Sequence, residues 1–146
     1  MVKVEKLDHF HVYVKDLEKA KEIYGRVLGT HWSPTLFEKD SGVKSVLSPL
    51  GIELIEPASP DSPVAKTLER RGEGLAGITF KVADIEQAIA ELESQGMKCV
   101  GKIQLGSVKE AQFHPAKFCG VMLELTEYQE QHAAAVQAQV KPHKGT

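Results

Sequence analysis

Cysteine is scarce: the chain of 146 residues holds two, Cys99 and Cys119, and neither belongs to a CxxC pair. That spacing excludes a zinc knuckle and a disulfide framework. Long apolar runs are missing as well. No stretch approaches the ~20 residues of a membrane-spanning helix, and the N-terminus shows no hydrophobic signal-peptide core. Neither sign of charge prevails, since 18 basic and 20 acidic side chains leave a net charge of −2. Such a balance offers no electrostatic attraction to nucleic acid or to an anionic membrane. The expectation is a soluble cytoplasmic protein whose partner is a small molecule. With 42% hydrophobic residues over this length, a single domain can bury a substantial core.

What the chain does have is a repeat. Residues 7–20, LDHFHVYVKDLEKA, slide onto 75–88, LAGITFKVADIEQA, so that Leu7 meets Leu75, Val14 meets Val82, Asp16 meets Asp84 and Ala20 meets Ala88. A second echo sets IELIE at 52–56 against LELTE at 123–127 and places Glu53 opposite Glu124. In the first register His9 meets Gly77, so one copy carries an imidazole where the other carries no side chain.

Residues 8–14 alternate, with Phe10, Val12 and Val14 on one face and His9, His11 and Tyr13 on the other, the pattern of a half-buried strand. Asp16 predicts the N-cap of a helix over 17–28 that Gly29 ends. Strands are expected near 31–37, 43–48 and 51–56. In the second copy a strand over 76–82 turns Gly77, Thr79 and Lys81 away from its helix. Asp84 and Gln87 form a capping box for helix 85–95, and strands follow near 98–103, 109–113 and 120–126. Between the copies Ser62 and Pro63 open a linker helix, 62–71. The fold class is therefore α+β, two tandem βαβββ modules at about 5–57 and 75–127 within one domain over 1–128. Residues 129–146, rich in Ala and Gln, are expected as a peripheral or disordered tail with His132 and His143 in solvent.

If the copies pair about a pseudo-twofold axis, the faces opposite the helices merge into one trough. Strand parity puts His9, His11, Tyr13, Gly77, Thr79 and Lys81 on it, and alternation lets Glu53 and Glu124 face it too. A carboxylate inside an apolar strand is costly unless a cation or hydrogen bonds compensate it. Imidazole with carboxylates suits a divalent metal in N/O coordination. Taken singly, a strand-face histidine is more often a hydrogen-bonded core residue, and a lone strand glutamate a salt-bridge partner. The repeat favours the metal, because it gives the two glutamates equivalent places.

The segments KLDHFHVYVKDLEKA, IELIEPASPDSPVAKTLERRGEG and FHPAKFCGVMLEL resemble the vicinal-oxygen-chelate superfamily, the glyoxalase, bleomycin-resistance and extradiol-dioxygenase group, over about residues 5–127. Within it, SPDSP followed by a GEG turn is similar to the methylmalonyl-CoA epimerase family. The resemblance implies the glyoxalase fold, a homodimer, an acyl-CoA thioester substrate and a divalent ion (Co, Mn, Mg, Zn or Ni). It implies ligands at a first-strand His, a fourth-strand Gln or Glu, a His opening the second copy, and a last-strand Glu. Those positions are His9, Glu53, Gly77 and Glu124; three match and one fails. The family's second base falls near Asp40 in EKDSGV, with Glu38 close by, so the implied catalytic carboxylates are Glu124 with Asp40 or Glu38.

Epimerisation beside a thioester removes the α-proton from one face and returns it to the other, which two carboxylates can do. The enolate formed between needs electrophilic stabilisation, commonly the largest single contribution to rate. At the Gly77 gap three arrangements are open. His11 can serve as a ligand beside His9, or form only a wall of the pocket. Water can fill the position. Alternatively no metal binds, and Lys81 or Thr79 is the electrophile. Two other functions also remain open: a different enzyme on this scaffold with an altered metal centre, and a non-catalytic small-molecule binder.

Overall fold

The computed structural model describes residues 1–129. The expected tail lies outside the described residues from position 130 onward. The first copy is built from β1 (Val4–Tyr13), α1 (Leu17–Leu28), β2 (Leu36–Glu38), β3 (Val43–Ser48) and β4 (Ile52–Pro57). After the linker helix α2 (Pro63–Arg71) come β5 (Gly74–Val82), α3 (Ile85–Ser94), β6 (Cys99–Leu105), β7 (Val108–Phe113) and β8 (Met122–Glu127). The two βαβββ modules lie in one mixed eight-stranded sheet of order β2-β3-β4-β1-β5-β8-β7-β6.

The order is symmetric about its middle. β1 and β5 run antiparallel at the centre, each is flanked by a parallel strand of its own copy (β4 or β8), and antiparallel strands complete both arms. Across the centre His9 pairs with Thr79 and His11 with Gly77. The parallel neighbours set Glu53 beside His11 and Glu124 beside Thr79. Strand parity therefore gathers four candidate side chains at one level of the sheet.

Local chemistry explains both strand-to-helix turns. The Asp16 carboxylate accepts from the Lys19 amide and the Asp84 carboxylate from the Gln87 amide, each satisfying an otherwise unpaired donor of the first turn. Glu56 and Glu127, the last residues of the second echo, accept from the first helical amides of their own copies, Leu17 and Ile85. Each module also has its own core under its helix. Val14, Leu17, Ala20 and Leu54 pack together in the first, and the repeat-related Val82, Ile85, Ala88 and Leu125 in the second. Burying each large aliphatic side chain contributes about 1.5–3 kcal/mol.

One element departs from expectation. The strand expected over 31–37 is confined to Leu36–Glu38. Ser33 is tied to Leu47 twice, its amide donating to the Leu47 carbonyl and its hydroxyl accepting from the Leu47 amide, while the Trp32 indole donates to the Lys21 carbonyl. Pro34 follows at once and has no amide to give a ladder.

Candidate metal centre

The side opposite the helices is a cleft of about 1050 Å³, including its open mouth. Its floor holds His9, His11, Glu53 and Glu124, and its walls include Tyr13, Glu38, Glu110 and Gln112. His9 Nε2 lies 3.8 Å from Glu53 Oε1 and 3.9 Å from Glu124 Oε1. His11 Nε2 lies 3.8 and 3.5 Å from the same two oxygens. The imidazoles stack at 5.2 Å between centroids. Ligand atoms of His9, His11 and Glu124 all fall within 4.8 Å of one another.

The surroundings orient these groups. His9 Nδ1 donates to Asp8 Oδ2 at 2.6 Å, which leaves the Nε2 lone pair turned to the two glutamates. That nitrogen is buried and has no hydrogen-bond partner. Asp8 also accepts from the Tyr128 hydroxyl and sits 3.8 Å from Lys6 Nζ. Burial works against its charge, but the hydrogen bonds from His9 and Tyr128 prevail and hold its carboxyl below the ordinary range. A carboxylate–histidine pair of this kind is the usual outer support of a metal-binding imidazole.

Glu124 is held from both sides, its Oε1 accepting from the Thr79 hydroxyl at 2.9 Å and its Oε2 from the Gln112 amide at 3.0 Å. Burial opposes its charge, yet His11, His9 and the Gln112 amide lower its pKa to about 2. His11 Nε2 lies 2.6 Å from Thr79 Oγ1; because that hydroxyl gives its proton to Glu124, the imidazole donates to it. Desolvation disfavours the imidazolium of His11, but Glu124 and Glu53 outweigh it and raise its pKa. Burial raises Glu53, against the pull of His9 and His11. Burial, with Glu124 and Glu53 nearby, pushes Tyr13 up to about 12. Burial together with the charges of Glu124 and Glu53 raises Glu110 well above its ordinary value.

Placed against expectation, His9, His11, Tyr13, Glu53 and Glu124 share the cleft, and so does Glu38. Asp40 is exposed and lies outside the lining; its amide and that of Ser41 donate to the Glu38 carboxylate, which selects Glu38 as the carboxylate of this loop that meets the cleft. Gly77, Thr79 and Lys81 do not line it either. Thr79 is covered, bridging His11 and Glu124, and the His11 ring fills the space above Gly77. Lys81 pairs with Glu5 at 3.1 Å and lies over the Tyr128 ring. Asp8, Gln112 and Glu110 are site residues that the repeat did not single out. For the latter two the signal was the alternation of VKEAQF, whose Ala111 and Phe113 are fully buried in the core and turn Glu110 and Gln112 to the other face.

The donor set fits a divalent cation. It supplies an unpartnered buried imidazole nitrogen, a second imidazole and the Glu124 carboxylate at mutual distances that one ion can span, with Glu53 3.8 Å from both rings.

Comparison with known proteins gives a consistent picture. The family model described as the Glyoxalase/Bleomycin resistance protein/Dioxygenase superfamily matches residues 8–119. The human mitochondrial methylmalonyl-CoA epimerase is 32% identical over 127 residues, 82% of this chain and 72% of that protein. An ethylmalonyl-CoA/methylmalonyl-CoA epimerase of Cereibacter sphaeroides is 32% identical over 130 residues, 84% of this chain and 97% of that one. Among solved structures, a variant of the Streptomyces coelicolor methylmalonyl-CoA epimerase in complex with 2-nitronate-propionyl-CoA superposes with a TM-score of 0.80 at 26% identity, covering 88% of this chain and 100% of its own.

Proposed function

The chain belongs to the glyoxalase/bleomycin resistance/dioxygenase superfamily, and from that premise we propose that it is an epimerase of acyl-CoA thioesters, moving the α-proton of a methylmalonyl-CoA-like substrate from one face to the other. The observation that carries this reading is the cluster of buried His9, His11 and Glu124, with the partly exposed Glu53 beside them, at the floor of a cleft that Glu38 also lines. Relatives named for this reaction support it, as does the S. coelicolor enzyme holding a propionyl-CoA analogue.

Glu38 and Glu124 come from different modules and face one cleft, and in this reading they are the two proton-transfer groups. Glu124 is ionised below neutral pH, so it presents an unprotonated carboxylate to the cleft. Backbone amides of Asp40 and Ser41 hold the Glu38 carboxylate in place. His9, Glu53 and Glu124, with His11 beside them, would hold the divalent ion. When bound, that ion supplies Lewis-acid stabilisation of charge on the thioester oxygen, worth several kcal/mol. Asp8 keeps His9 in the required tautomer, and Gln112 and Thr79 fix the Glu124 carboxylate. The apolar side chains Leu36, Leu47, Ile55 and Val108 line the walls and limit water around the reacting carbon. The reading includes a cytoplasmic homodimer, for which the exposed Phe10, Leu50 and Leu75 offer apolar surface.

The test is exchange of the methylmalonyl-CoA α-proton into deuterated water, followed by mass spectrometry with Co²⁺ or Mn²⁺ supplied. Exchange is expected, and Glu38→Gln is expected to slow it about 10²–10⁴-fold, the usual contribution of a positioned base. No exchange with any divalent ion, or full rate in Glu38→Gln, would contradict this reading.

A further inference from the structure

The repeat makes His9 and Gly77 equivalent, yet the folded cluster contains two imidazoles, and the second comes from position 11. We propose that His11 supplies to the bound cation the imidazole that the second copy lacks, so that one ligand of the centre has moved from β5 to the facing position of β1. The inference rests on the metal-assisted reading above and assigns the ligand set within it.

Three observations carry it. His11 and Gly77 are direct partners across the central antiparallel pair, so their side-chain positions open on the same space. A Cβ built on Gly77 would stand 3.0 Å from His11 Nδ1, 3.0 Å from the Met122 carbonyl oxygen and 3.1 Å from Met122 Cε. Contacts that short are tighter than most real Cβ contacts, so a side chain at 77 requires the His11 ring or Met122 to give way by a few tenths of an ångström. The His11 ring thus occupies space that a side chain at position 77 would share. Finally, the ring is directed at the site: His11 is 1% exposed, its Nε2 lies 3.5 Å from Glu124 Oε1 and 3.8 Å from Glu53 Oε1, and its Nδ1 is buried with no partner. The nitrogen nearest the two carboxylates is Nε2, held at 2.6 Å from the Thr79 hydroxyl that is itself engaged by Glu124, while the unpartnered Nδ1 lies on the Gly77 side. To hold a cation through Nε2, the ring would carry its proton on Nδ1 and Nε2 would give up its hydrogen bond to Thr79.

Exchanging the two positions tests this. Protein stripped with a chelator is titrated with Co²⁺, reading affinity by calorimetry and ligand type by the visible d–d bands, while circular dichroism and thermal unfolding report the fold. His11→Gln is expected to weaken Co²⁺ binding by more than about tenfold, since even changes behind a ligand cost that much. The double variant His11→Gly with Gly77→His is expected to regain most of the lost affinity, with a band pattern close to that of the unaltered protein. Gly77→His alone is expected to lose stability, because both rings then claim one space. Unweakened Co²⁺ binding in His11→Gln would overturn the inference, as would a folded double variant as weak as His11→Gln. The α-proton exchange assay separates this from the function proposed above. His11-dependent Co²⁺ binding without exchange would sink the epimerase reading and leave the ligand assignment standing. Exchange together with His11-independent binding would sink the assignment alone.

Discussion

Burial and neighbouring carboxylates favour the protonated form of Glu110, a residue that looks, in VKEAQF, like any solvent-facing glutamate. Its folded pKa is raised, chiefly by burial and then by Glu124 and Glu53, above an unfolded value near 4.5. The native state thus keeps a proton that the unfolded chain releases. That costs stability progressively as pH rises above about 4.5, until the folded group also ionises. In chelator-treated protein, Glu110→Gln should therefore flatten the decline of the melting temperature as pH rises above about 4.5. Thermal unfolding across that range is the check; an unchanged slope would show that Glu110 ionises normally. The same residue marks how far single positions can be read from sequence. Glu53 and Glu124 were legible because the repeat set them in equivalent places, and His9 because strand parity turned it to the same face. Glu110 and Gln112 have no echo, and alternation alone assigns a face without saying whether that face meets solvent or a cleft. Asp8 was hidden for a similar reason, since its role depends on a ring and a tyrosine 120 residues away in sequence.

At the scale of elements, the repeat is carried by paired devices as well as by hydrophobic pattern. Asp16 and Asp84 cap α1 and α3 through the third amide of each helix, and Glu56 and Glu127 take the first. Each of these glutamates also meets a lysine of the neighbouring strand, Lys44 at 2.8 Å and Lys109 at 3.6 Å. Equivalent positions should have equivalent energies. Asp16→Ala and Asp84→Ala are each expected to cost about 1 kcal/mol, and the double variant about their sum, because the sites lie in separate modules. Urea unfolding of the three variants measures this, and strong non-additivity would show that the modules do not fold as independent equivalents. Helices and most strands were legible because caps and alternation agree there. The segment 31–37 was misread because its apolar and polar residues alternate like a strand, whereas Pro34 and the bonds of Ser33 to Leu47 hold most of it as an irregular run.

For the whole molecule, the decisive event is the antiparallel meeting of β1 and β5. It brings one module's two histidines and Glu53 against the other's Glu124, and neither module holds a complete site alone. Duplication therefore brings the candidate ligands together, and the His11 imidazole facing Gly77 lies in the space shared by the two central strands. Crystals of the protein soaked with Co²⁺, with anomalous diffraction collected at the cobalt edge, test this most directly. A single strong peak between His9 Nε2, the His11 ring and the carboxylates of Glu53 and Glu124 is expected. A peak elsewhere, or none at that point with cobalt saturating, would contradict a metal centre built across the two halves.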